Sequence, residues 1–379
     1  MGTSIAFHLA RRRAGRILVL ERADVAHGGS GRSSALIRMH YSFPPEVDLA
    51  VRSLEIFRNW RDYVGGHGHF RAIGFVRIVP ESEIGRLEKN VAMQRSRGVD
   101  TRLISREELT EIEPDWNVED VSAAAWEPGS GYGDGAGVAT DFLTHARELG
   151  VAYVPQTRVL AFRTEAGRVT GVATDRGPVS ARVVVAAAGP WSRCLFSALG
   201  VDLPIEPEHH EVAILKNRMG MKAAGSACID SITTTYFRSE LGGYTLVGDF
   251  FGRRGEDPDA LAPSSPETLA GLVERVSRRV PALAESGIVR GIAGVYDMTP
   301  DARPLLGEVP GIRGLYVAAG FSGMGFKISP AIGLVFSELL LDGAARTIDI
   351  SAFAPDRFAK GRPIKANWEY GDEEATAYT

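Results

Sequence analysis

Residues 1–22, MGTSIAFHLARRRAGRILVLER, decide the fold that this chain can form. Apolar residues recur at helical spacing from Ile5 to Leu9, and the arginines that follow stand where cations favour the helix dipole. The run at residues 17–20 is continuous and apolar, and it ends at Glu21. Such a run is typical of a buried parallel strand with an acid at its carboxyl end. The stretch therefore predicts a helix followed by a parallel strand.

The spacing from Gly2 to Glu21 matches the second half of a dinucleotide-binding βαβ unit. In that unit a glycine at the helix start allows close packing on the sheet, and an acid about 20 residues later bonds the ribose hydroxyls. The preceding strand and the first two glycines of GxGxxG are not part of this sequence. On these residues alone, an amphipathic helix that leads to a buried strand with a surface acid is an equally good interpretation.

Two later strand ends favour a bound dinucleotide. One apolar strand ends in AAAGPW at residues 186–191, where small side chains let the backbone pass close to a flat ligand. Another ends in AAGFSGMG at residues 318–325, where a glycine-rich turn leads to a helix whose free amides can stabilise negative charge. Each turn alone is also compatible with ordinary strand-to-helix geometry. Three glycine-bounded strand ends in one chain make a dinucleotide the better interpretation.

The composition is that of an ordinary globular protein. The 379 residues include 43 Lys+Arg and 47 Asp+Glu, for a net charge of −4, and 44% are hydrophobic. The length predicts about two domains, and the hydrophobic content excludes disorder for most of the chain. Because there is no lysine-rich block and no long apolar run, we expect no nucleic-acid partner and no membrane span. Cys194 and Cys228 form no CxxC motif, which favours a reducing, cytoplasmic location.

Antiparallel strands are predicted between these segments. Hydrophobic alternation over residues 75–79 and 211–249 is typical of half-buried strands. Helices are expected over residues 141–149 and 329–341, and a polar tail over residues 367–379.

Six segments that follow one another along the chain carry a specific resemblance. They are MGTSIA at residues 1–6, LVLER at 18–22, GSGR at 29–32, AGPW at 188–191, TPDARPLLG at 299–307 and GFSGMGFK at 320–327. Together they resemble the D-amino-acid oxidase superfamily of flavoproteins, and within it the sarcosine oxidase and dimethylglycine dehydrogenase branch. The resemblance implies an α/β fold, α+β overall, with a Rossmann-like FAD-binding domain interleaved with an antiparallel-sheet substrate domain. It assigns residues 1–70, 131–200 and 300–379 to the FAD-binding domain, and residues 71–130 and 201–299 to the substrate-binding domain.

The same resemblance implies the residues that hold FAD. Glu21 would bind the adenosine ribose, with Arg22 beside it, and the Val159 backbone would meet the adenine. Gly323 and its neighbours would face the N1/O2 edge of the flavin. The loop along the pyrophosphate and flavin would comprise Ser30, Gly31, Arg32, Ser33 and Ser34. The other predicted contacts are Gly2, Ala188, Gly189, Trp191, Gly320, Met324, Gly325, Phe326 and Lys327.

The implied reaction is FAD-dependent oxidation of a secondary or tertiary amino acid, such as a sarcosine-like N-methyl amino acid, by hydride transfer to flavin N5. Lys327 and Arg38 would bind the substrate carboxylate, because paired charge-assisted hydrogen bonds fix an anion and orient its C–H bond. A solvated turn lysine and a surface ion pair are the alternatives for these two residues. His40 and Tyr296 are further catalytic candidates, each equally compatible with a packed histidine or aromatic residue.

Departures from the family pattern bear on the flavin linkage. Gly294 stands where sarcosine oxidases attach flavin through a cysteine, and Ser33 stands where dimethylglycine dehydrogenases use a histidine, although His27 is near. We therefore expect FAD to be bound non-covalently. Glycine oxidases use an arginine in the segment where this chain has Tyr296, so a sarcosine-like carboxylate site is favoured.

The sequence also bears on the electron acceptor. Related oxidases carry a lysine over flavin N5, whereas the corresponding region offers Arg238, so oxygen or an electron-accepting protein could reoxidise the flavin. A dehydrogenase or catalytic subunit, and a truncated non-catalytic relative, are the alternatives to an oxidase.

Met1 falls just before the third glycine of GxGxxG, so we expect an in-frame upstream extension and weaker FAD binding without it. Because His209 and His210 would point to opposite faces of a strand, no metal is assigned.

Overall fold

The computed structural model describes residues 1–219, 224–255 and 257–371. In these ranges the α-helices are α1 Gly2–Arg11, α2 Pro44–Arg58, α3 Trp60–Tyr63, α4 Ile84–Ser96, α5 Arg106–Ile112, α6 Gly135–Glu148, α7 Ser192–Ser197, α8 Pro266–Arg279 and α9 Gly325–Asp342. The strands are β1 Leu18–Leu20, β2 Leu36–Ile37, β3 Arg71–Ala72, β4 Phe75–Ile78, β5 Arg102–Ser105, β6 Ala123–Glu127, β7 Gly131–Tyr132, β8 Ala152–Val154, β9 Val159–Glu165, β10 Arg168–Thr174, β11 Gly177–Ser180, β12 Val184–Ala186, β13 Glu206–Lys216, β14 Ala227–Asp230, β15 Thr235–Glu240, β16 Tyr244–Asp249, β17 Arg253–Arg254, β18 Gly287–Met298, β19 Leu305–Glu308 and β20 Leu315–Ala319.

Parallel strand pairs and three helices form one layer of the molecule. β1 pairs in parallel with β8, and β12 pairs in parallel with β20, which continues antiparallel to β19. Helix α1 packs against both α6 and α9 through a shared apolar core. Gly333 of α9 permits the close approach, because a Cβ there would lie 2.7 Å from the Ser4 carbonyl oxygen. These parallel pairs and their helices are the Rossmann-like part that the sequence predicts.

A large, mostly antiparallel sheet forms the second layer. Its order is β17-β13-β16-β15-β14-β4-β6-β5, with β18 also paired along β13, and the β14–β4 pair is parallel. Helix α8 packs on one face of this sheet through Leu272 and Val276. The opposite face is covered as well and carries Phe75 and Tyr236. The predicted combination of an α/β layer with an interleaved antiparallel sheet is confirmed.

The burial of β4 differs from the predicted alternation, because both faces of the sheet are covered. All of its residues are buried, including Arg77, whose guanidinium donates to the Ile78 carbonyl at 3.0 Å and to Ser231 Oγ at 2.8 Å. The alternation expected over residues 75–79 therefore does not correspond to one wet and one dry face.

Two predicted helices begin earlier than expected. Helix α6 begins at Gly135, because the Asp134 side chain accepts from the Ala136 N–H at 3.0 Å and caps it. Helix α9 begins at Gly325 and continues through Pro330. The proline removes one backbone donor, and the Ser329 hydroxyl donates to the Phe326 carbonyl at 2.8 Å in its place. Lys327 consequently lies in the first turn of α9, where a loop position was predicted.

In the part that the structure describes, the predicted polar tail contains one buried residue. Tyr370 is only 1% exposed, whereas Asn367 and Gly371 on either side of it are exposed. Residues 372–379 of that prediction lie outside the described part of the chain. Among the described residues, the helices lack the combined length and apolar character that crossing a bilayer requires.

Candidate cofactor and substrate site

A cavity of about 1990 Å³ lies between the parallel strands and the large sheet. Its wall includes Gly2, Glu21, Arg22, Ser30, Ser33, Val159, Ala188, Gly189, Trp191, Tyr296, Gly323, Gly325 and Phe326 from the predicted set. The wall does not include Gly31, Arg32, Ser34, Arg38, His40, Gly320, Met324 or Lys327. The predicted cofactor residues thus fall largely on one surface, while the predicted carboxylate ligands are buried beside it.

The end of β1 supplies an acid to this cavity. Glu21 Oε1 accepts from the Ala23 N–H at 3.0 Å, and the Glu21 carbonyl accepts from the Thr157 N–H at 2.8 Å. These bonds hold the turn after β1 and leave the Glu21 side chain on the cavity wall. A carboxylate at this position can accept hydrogen bonds from ribose hydroxyls.

Arg22 makes contacts that the sequence did not predict. Its guanidinium lies 4.0 Å above the Trp191 ring and 2.7 Å from Asp259 Oδ1, to which Trp191 Nε1 donates at 3.0 Å. Asp259 belongs to the segment between β17 and α8, and the Arg22 hydrogen bond lowers the pKa of its carboxyl. The three side chains link the two layers at the rim of the cavity.

The first turn of α1 faces the cavity with backbone amides that have no partner within the helix. The partial positive charge of a helix amino end suits a phosphate group. A Cβ on Gly2 would lie 3.7 Å from the Ala187 Cβ, so α1 and the end of β12 are in close contact here. The small side chains predicted at this strand end therefore serve both helix packing and ligand access.

The loop over residues 30–34 only partly reaches the cavity. Residues Gly29–Arg32 form a 3₁₀ turn, in which a Cβ on Gly31 would lie 2.4 Å from the Ala26 carbonyl oxygen. Arg32 donates to the His27 carbonyl at 3.0 Å. Gly31 and Arg32 thus have structural reasons for their identity in this turn.

The glycine turn before α9 forms the opposite end of the cavity. Gly323 has a φ of +85°, and a Cβ there would lie 2.8 Å from the Tyr296 ring. The Gly320 N–H donates to Asp297 Oδ2 at 2.6 Å, and burial raises the pKa of Asp297 to about 6. The turn therefore positions Tyr296 and the amino end of α9 next to the same part of the cavity.

Arg38 and Lys327 are brought together by one aromatic ring. The Arg38 guanidinium lies 4.4 Å from the Tyr41 ring centre, and Lys327 Nζ lies 6.0 Å from the same centre. The two side chains are 4% and 8% exposed. Burial, and then the neighbouring Arg38 charge, hold the pKa of the Lys327 ammonium well below its usual range. A bound anion would relieve the repulsion between the two cations.

Two buried carboxyl groups near these cations were missed by the sequence analysis. Glu46 Oε1 lies 3.4 Å from Arg303 Nε, and burial raises the pKa of Glu46 to about 7. Glu127 accepts from the Met39 N–H at 3.0 Å and from Ser130 Oγ at 2.6 Å, and burial raises its pKa too. Glu46 follows two prolines at the start of a helix, where an acid is ordinarily a surface residue, so the pattern carried no signal.

Tyr296 belongs to an aromatic group on the large sheet. Its ring stacks on His210 at 4.1 Å, and His210 Nε2 lies 2.7 Å from Glu208 Oε1. Tyr236 packs in the same cluster as Tyr296, and burial raises the pKa of both phenols, so both hydroxyls stay protonated. Tyr236 was not predicted as a site residue.

His40 is fully buried and outside the cavity wall. Its Nε2 lies 2.9 Å from the Tyr370 hydroxyl, and burial with the nearby Arg77 and Arg38 charges lowers the pKa of His40 well below 6.5. The imidazole is therefore neutral. The structure places His40 behind Arg38 and not on the cavity surface.

Arg238, the basic residue that the sequence offers in the region where a lysine was sought, is held by neighbouring groups. It donates to the Ser34 carbonyl at 2.7 Å and to Glu240 Oε2 at 2.8 Å, and it lies 4.0 Å from the Tyr132 ring. Its charge is thus balanced by Glu240, and it ties the loop at Ser34 to the large sheet.

The residues present fit FAD. An acid ends β1, two helix amino ends reach the cavity, and glycines and alanines line the surface between them. The cavity has room for a dinucleotide, and its polar groups are of the kinds that a ribose, a pyrophosphate and a flavin edge require. Within the described ranges, no group of three His, Cys, Asp or Glu side chains is arranged to hold a metal ion.

Comparison with known proteins agrees with this arrangement. The family model described as DAO, FAD dependent oxidoreductase, matches residues 1–339. FAD-dependent oxidoreductase domain-containing protein 1 of Mus musculus is 28% identical over 410 residues, which cover 96% of this chain and 84% of the relative. Sarcosine oxidase subunit beta of Arthrobacter sp is 25% identical over 376 residues, which cover 96% of this chain and 90% of the relative. The crystal structure of L-proline dehydrogenase from P.horikoshii has a TM-score of 0.89 and 28% identity, and the match covers 96% of each chain.

Proposed function

Because the chain belongs to the DAO family of FAD dependent oxidoreductases, as its motifs predicted, we propose that it oxidises a secondary or tertiary amino acid of the N-methyl type. The observation that carries the proposal is the pair of buried cations, Arg38 and Lys327, over the Tyr41 ring beside the cavity. Two cationic side chains beside one cavity can hold an anion by paired charge-assisted hydrogen bonds. Similarity to a sarcosine oxidase subunit supports an amine-bearing carboxylate as that anion.

The residues of this chain would act by binding and orientation. Glu21, the first turn of α1 and the Gly323 turn would hold FAD, which supplies the two-electron redox chemistry when bound. Arg38 and Lys327 would hold the substrate carboxylate by charge-assisted hydrogen bonds, so that the carbon next to the amine faces the cavity. The amine reacts in its neutral form, so activity should rise with pH through the apparent amine pKa.

Turnover with a set of matched amines tests this function. The FAD-loaded protein is assayed with an artificial electron acceptor on an N-methyl amino acid, on its methyl ester and on the corresponding primary amino acid. We expect the N-methyl acid to be at least tenfold better in kcat/KM than the ester, which lacks the anion. Equal rates on acid and ester would contradict a carboxylate site at Arg38 and Lys327.

Arg238 favours a second candidate within the same class, a dehydrogenase or catalytic subunit that passes electrons to a partner instead of oxygen. Its guanidinium is balanced by Glu240 and held by the Ser34 carbonyl, so it offers little free positive charge to promote a reaction with oxygen. Stopped-flow mixing of the reduced protein with aerated buffer distinguishes the candidates. Slow reoxidation supports the dehydrogenase, and fast oxygen consumption excludes it.

Three finer features remain part of this proposal. The division into residues 1–70, 131–200 and 300–379 against residues 71–130 and 201–299 is supported by the two layers of the fold. A cytoplasmic location is supported by the free thiols of Cys194 and Cys228. Non-covalent FAD is supported by Gly294, which has no side chain to form a link, and release of all flavin on acid precipitation would test it.

A further inference from the structure

The segment 364–371 forms hydrogen bonds and an ion pair with both layers of the molecule. The Ile364 N–H donates to Asp301 Oδ2 at 2.9 Å, and Glu369 Oε1 lies 2.7 Å from Arg303 Nη2. On the other side, Asn90 of α4 donates to the Trp368 carbonyl at 2.8 Å. These contacts hold the chain before Tyr370, and the Gly371 N–H, which donates to Glu83 Oε1, holds it after Tyr370.

The side chain of Tyr370 lies directly behind the predicted carboxylate site. Its hydroxyl lies 2.9 Å from His40 Nε2, and the two rings are stacked, 5.8 Å apart and inclined by 20°. The Arg77 guanidinium lies 4.8 Å from the Tyr370 ring centre. Burial raises the pKa of Tyr370 to about 12, so the hydroxyl keeps its proton and the pair remains a neutral hydrogen bond.

His40 is in turn connected to Arg38. Arg38 Nη1 donates to the His40 carbonyl oxygen, and the Met39 N–H between them is held by Glu127 Oε2 at 3.0 Å. Within the described residues, His40 Nδ1 has no hydrogen-bond partner, so the Tyr370 hydroxyl supplies the hydrogen bond that orients the imidazole. A shift of His40 would move the carbonyl that the Arg38 guanidinium is bonded to.

We propose that Tyr370 is a positioning residue for the substrate carboxylate, which acts through His40 to fix the guanidinium of Arg38. Through Tyr370, the segment 364–371 thereby reaches the residues behind the substrate site. This inference rests on the proposed function, in which Arg38 and Lys327 bind the carboxylate. Tyr370 would contact neither substrate nor cofactor, but it would set the geometry of Arg38, which binds the substrate carboxylate.

Replacing Tyr370 with Phe tests the inference, because the ring is kept and only the hydroxyl is lost. We expect KM for the N-methyl amino acid, and the Kd of acetate followed by perturbation of the flavin spectrum, to rise about threefold to tenfold. We expect kcat to stay within twofold. Tyr63→Phe is the matched control, because its hydroxyl pairs with another buried histidine, His8 Nε2, at 3.3 Å, away from the cavity wall. The control should leave KM and Kd within twofold.

A double-mutant cycle tests the route through His40. In a His40→Asn background, Tyr370→Phe should change KM by less than twofold, and an undiminished effect would overturn the proposed route. If Tyr370→Phe alone leaves both KM and Kd unchanged, the residue is structural only and the inference is wrong.

Outcomes for the wild-type protein separate this inference from the proposed function. If the wild type turns over no N-methyl amino acid, that function fails, and the acetate Kd still decides the inference. Weaker acetate binding by Tyr370→Phe than by Tyr63→Phe would support it. Equal binding by the two variants, or no acetate binding by the wild type, would overturn it.

Discussion

At the scale of single residues, the site is a set of buried charges arranged around Tyr41. Arg38 and Lys327 lie over its ring, while the carboxyls of Glu46 and Glu127 are buried close by. Burial disfavours the charged forms, which is why the pKa of Lys327 is lowered and those of the two acids are raised. Binding of an anion and the protonation of these groups are therefore coupled.

Lys327→Met should raise KM for the substrate at least tenfold, which corresponds to about 1.4 kcal/mol for a lost charge-assisted contact. The change removes the charge and keeps an unbranched chain of similar length. Lys360→Met is the control, because Lys360 is exposed and its ion pair with Asp356 lies on the surface. Steady-state kinetics should show an altered KM only for the first variant, and an unchanged KM would remove Lys327 from the site.

Glu46→Gln should make stability less sensitive to alkaline pH. The folded-state pKa of Glu46 is raised from 4.5 to about 7, so its contribution to stability is full below pH 4.5 and is lost as pH rises through 7. Glutamine does not ionise, so between pH 5 and pH 8 the variant should gain about 2–3 kcal/mol relative to the wild type. Urea unfolding at several pH values measures this difference.

Glu55→Gln is the control for that experiment. Glu55 lies on the same helix, with its side chain 55% exposed and paired with Arg52. The unfolding free energy of Glu55→Gln should change with pH in the same way as that of the wild type between pH 5 and pH 8. If the unfolding free energy of Glu46→Gln also changes with pH as that of the wild type does, Glu46 is not a buried, neutralised acid.

At the scale of elements, the strand ends were the most predictable part of the site. A continuous apolar run followed by an acid, or by glycine and alanine, indicates a buried strand, and three such ends together favoured a ligand; β1, β12 and β20 are these strands. The start of α9 was less predictable. Pro330 and the glycines before it indicate a later helix start, but Ser329 compensates for the missing donor. Such compensation depends on a side-chain rotamer that a pattern does not record.

Gly323→Ala should destabilise the protein and lower its flavin content. The residue has a φ of +85°, and a Cβ would meet the Tyr296 ring at 2.8 Å, so the change adds a steric clash to backbone strain. Gly343→Ala isolates the strain, because Gly343 ends α9 with a φ of +79° and a Cβ there would have no neighbour within 4 Å. Gly343→Ala should cost about 1–2 kcal/mol, with the flavin-to-protein ratio unchanged.

The two measurements for this pair are thermal unfolding and the flavin-to-protein absorbance ratio. Gly323→Ala should show the larger fall in Tm and a reduced ratio. Equal effects of the two variants on both quantities would mean that the Gly323 turn does not shape the cavity.

At the scale of the whole molecule, the sequence predicted the layers but not their contacts. The parallel strands and the antiparallel strands follow from local periodicity, and their arrangement in two layers follows from the family resemblance. What joins the layers is side-chain chemistry between distant segments, such as Arg22 with Asp259 and His40 with Tyr370. Nothing in a polar segment such as residues 367–371 indicates that its tyrosine will be buried. The predicted cofactor residues lie in several short local motifs along the chain, whereas Glu46, Glu127 and Tyr370 are brought to the site only by tertiary packing.

In the proposed function, the chain binds FAD and uses buried cations to hold an N-methyl amino acid for oxidation. Anaerobic mixing of the FAD-loaded protein with such a substrate tests it most directly. We expect the long-wavelength flavin absorption band to bleach with one equivalent of substrate, and Lys327→Met to require at least tenfold more substrate for the same effect. A band that stays unchanged with a saturating N-methyl amino acid would contradict the proposed function.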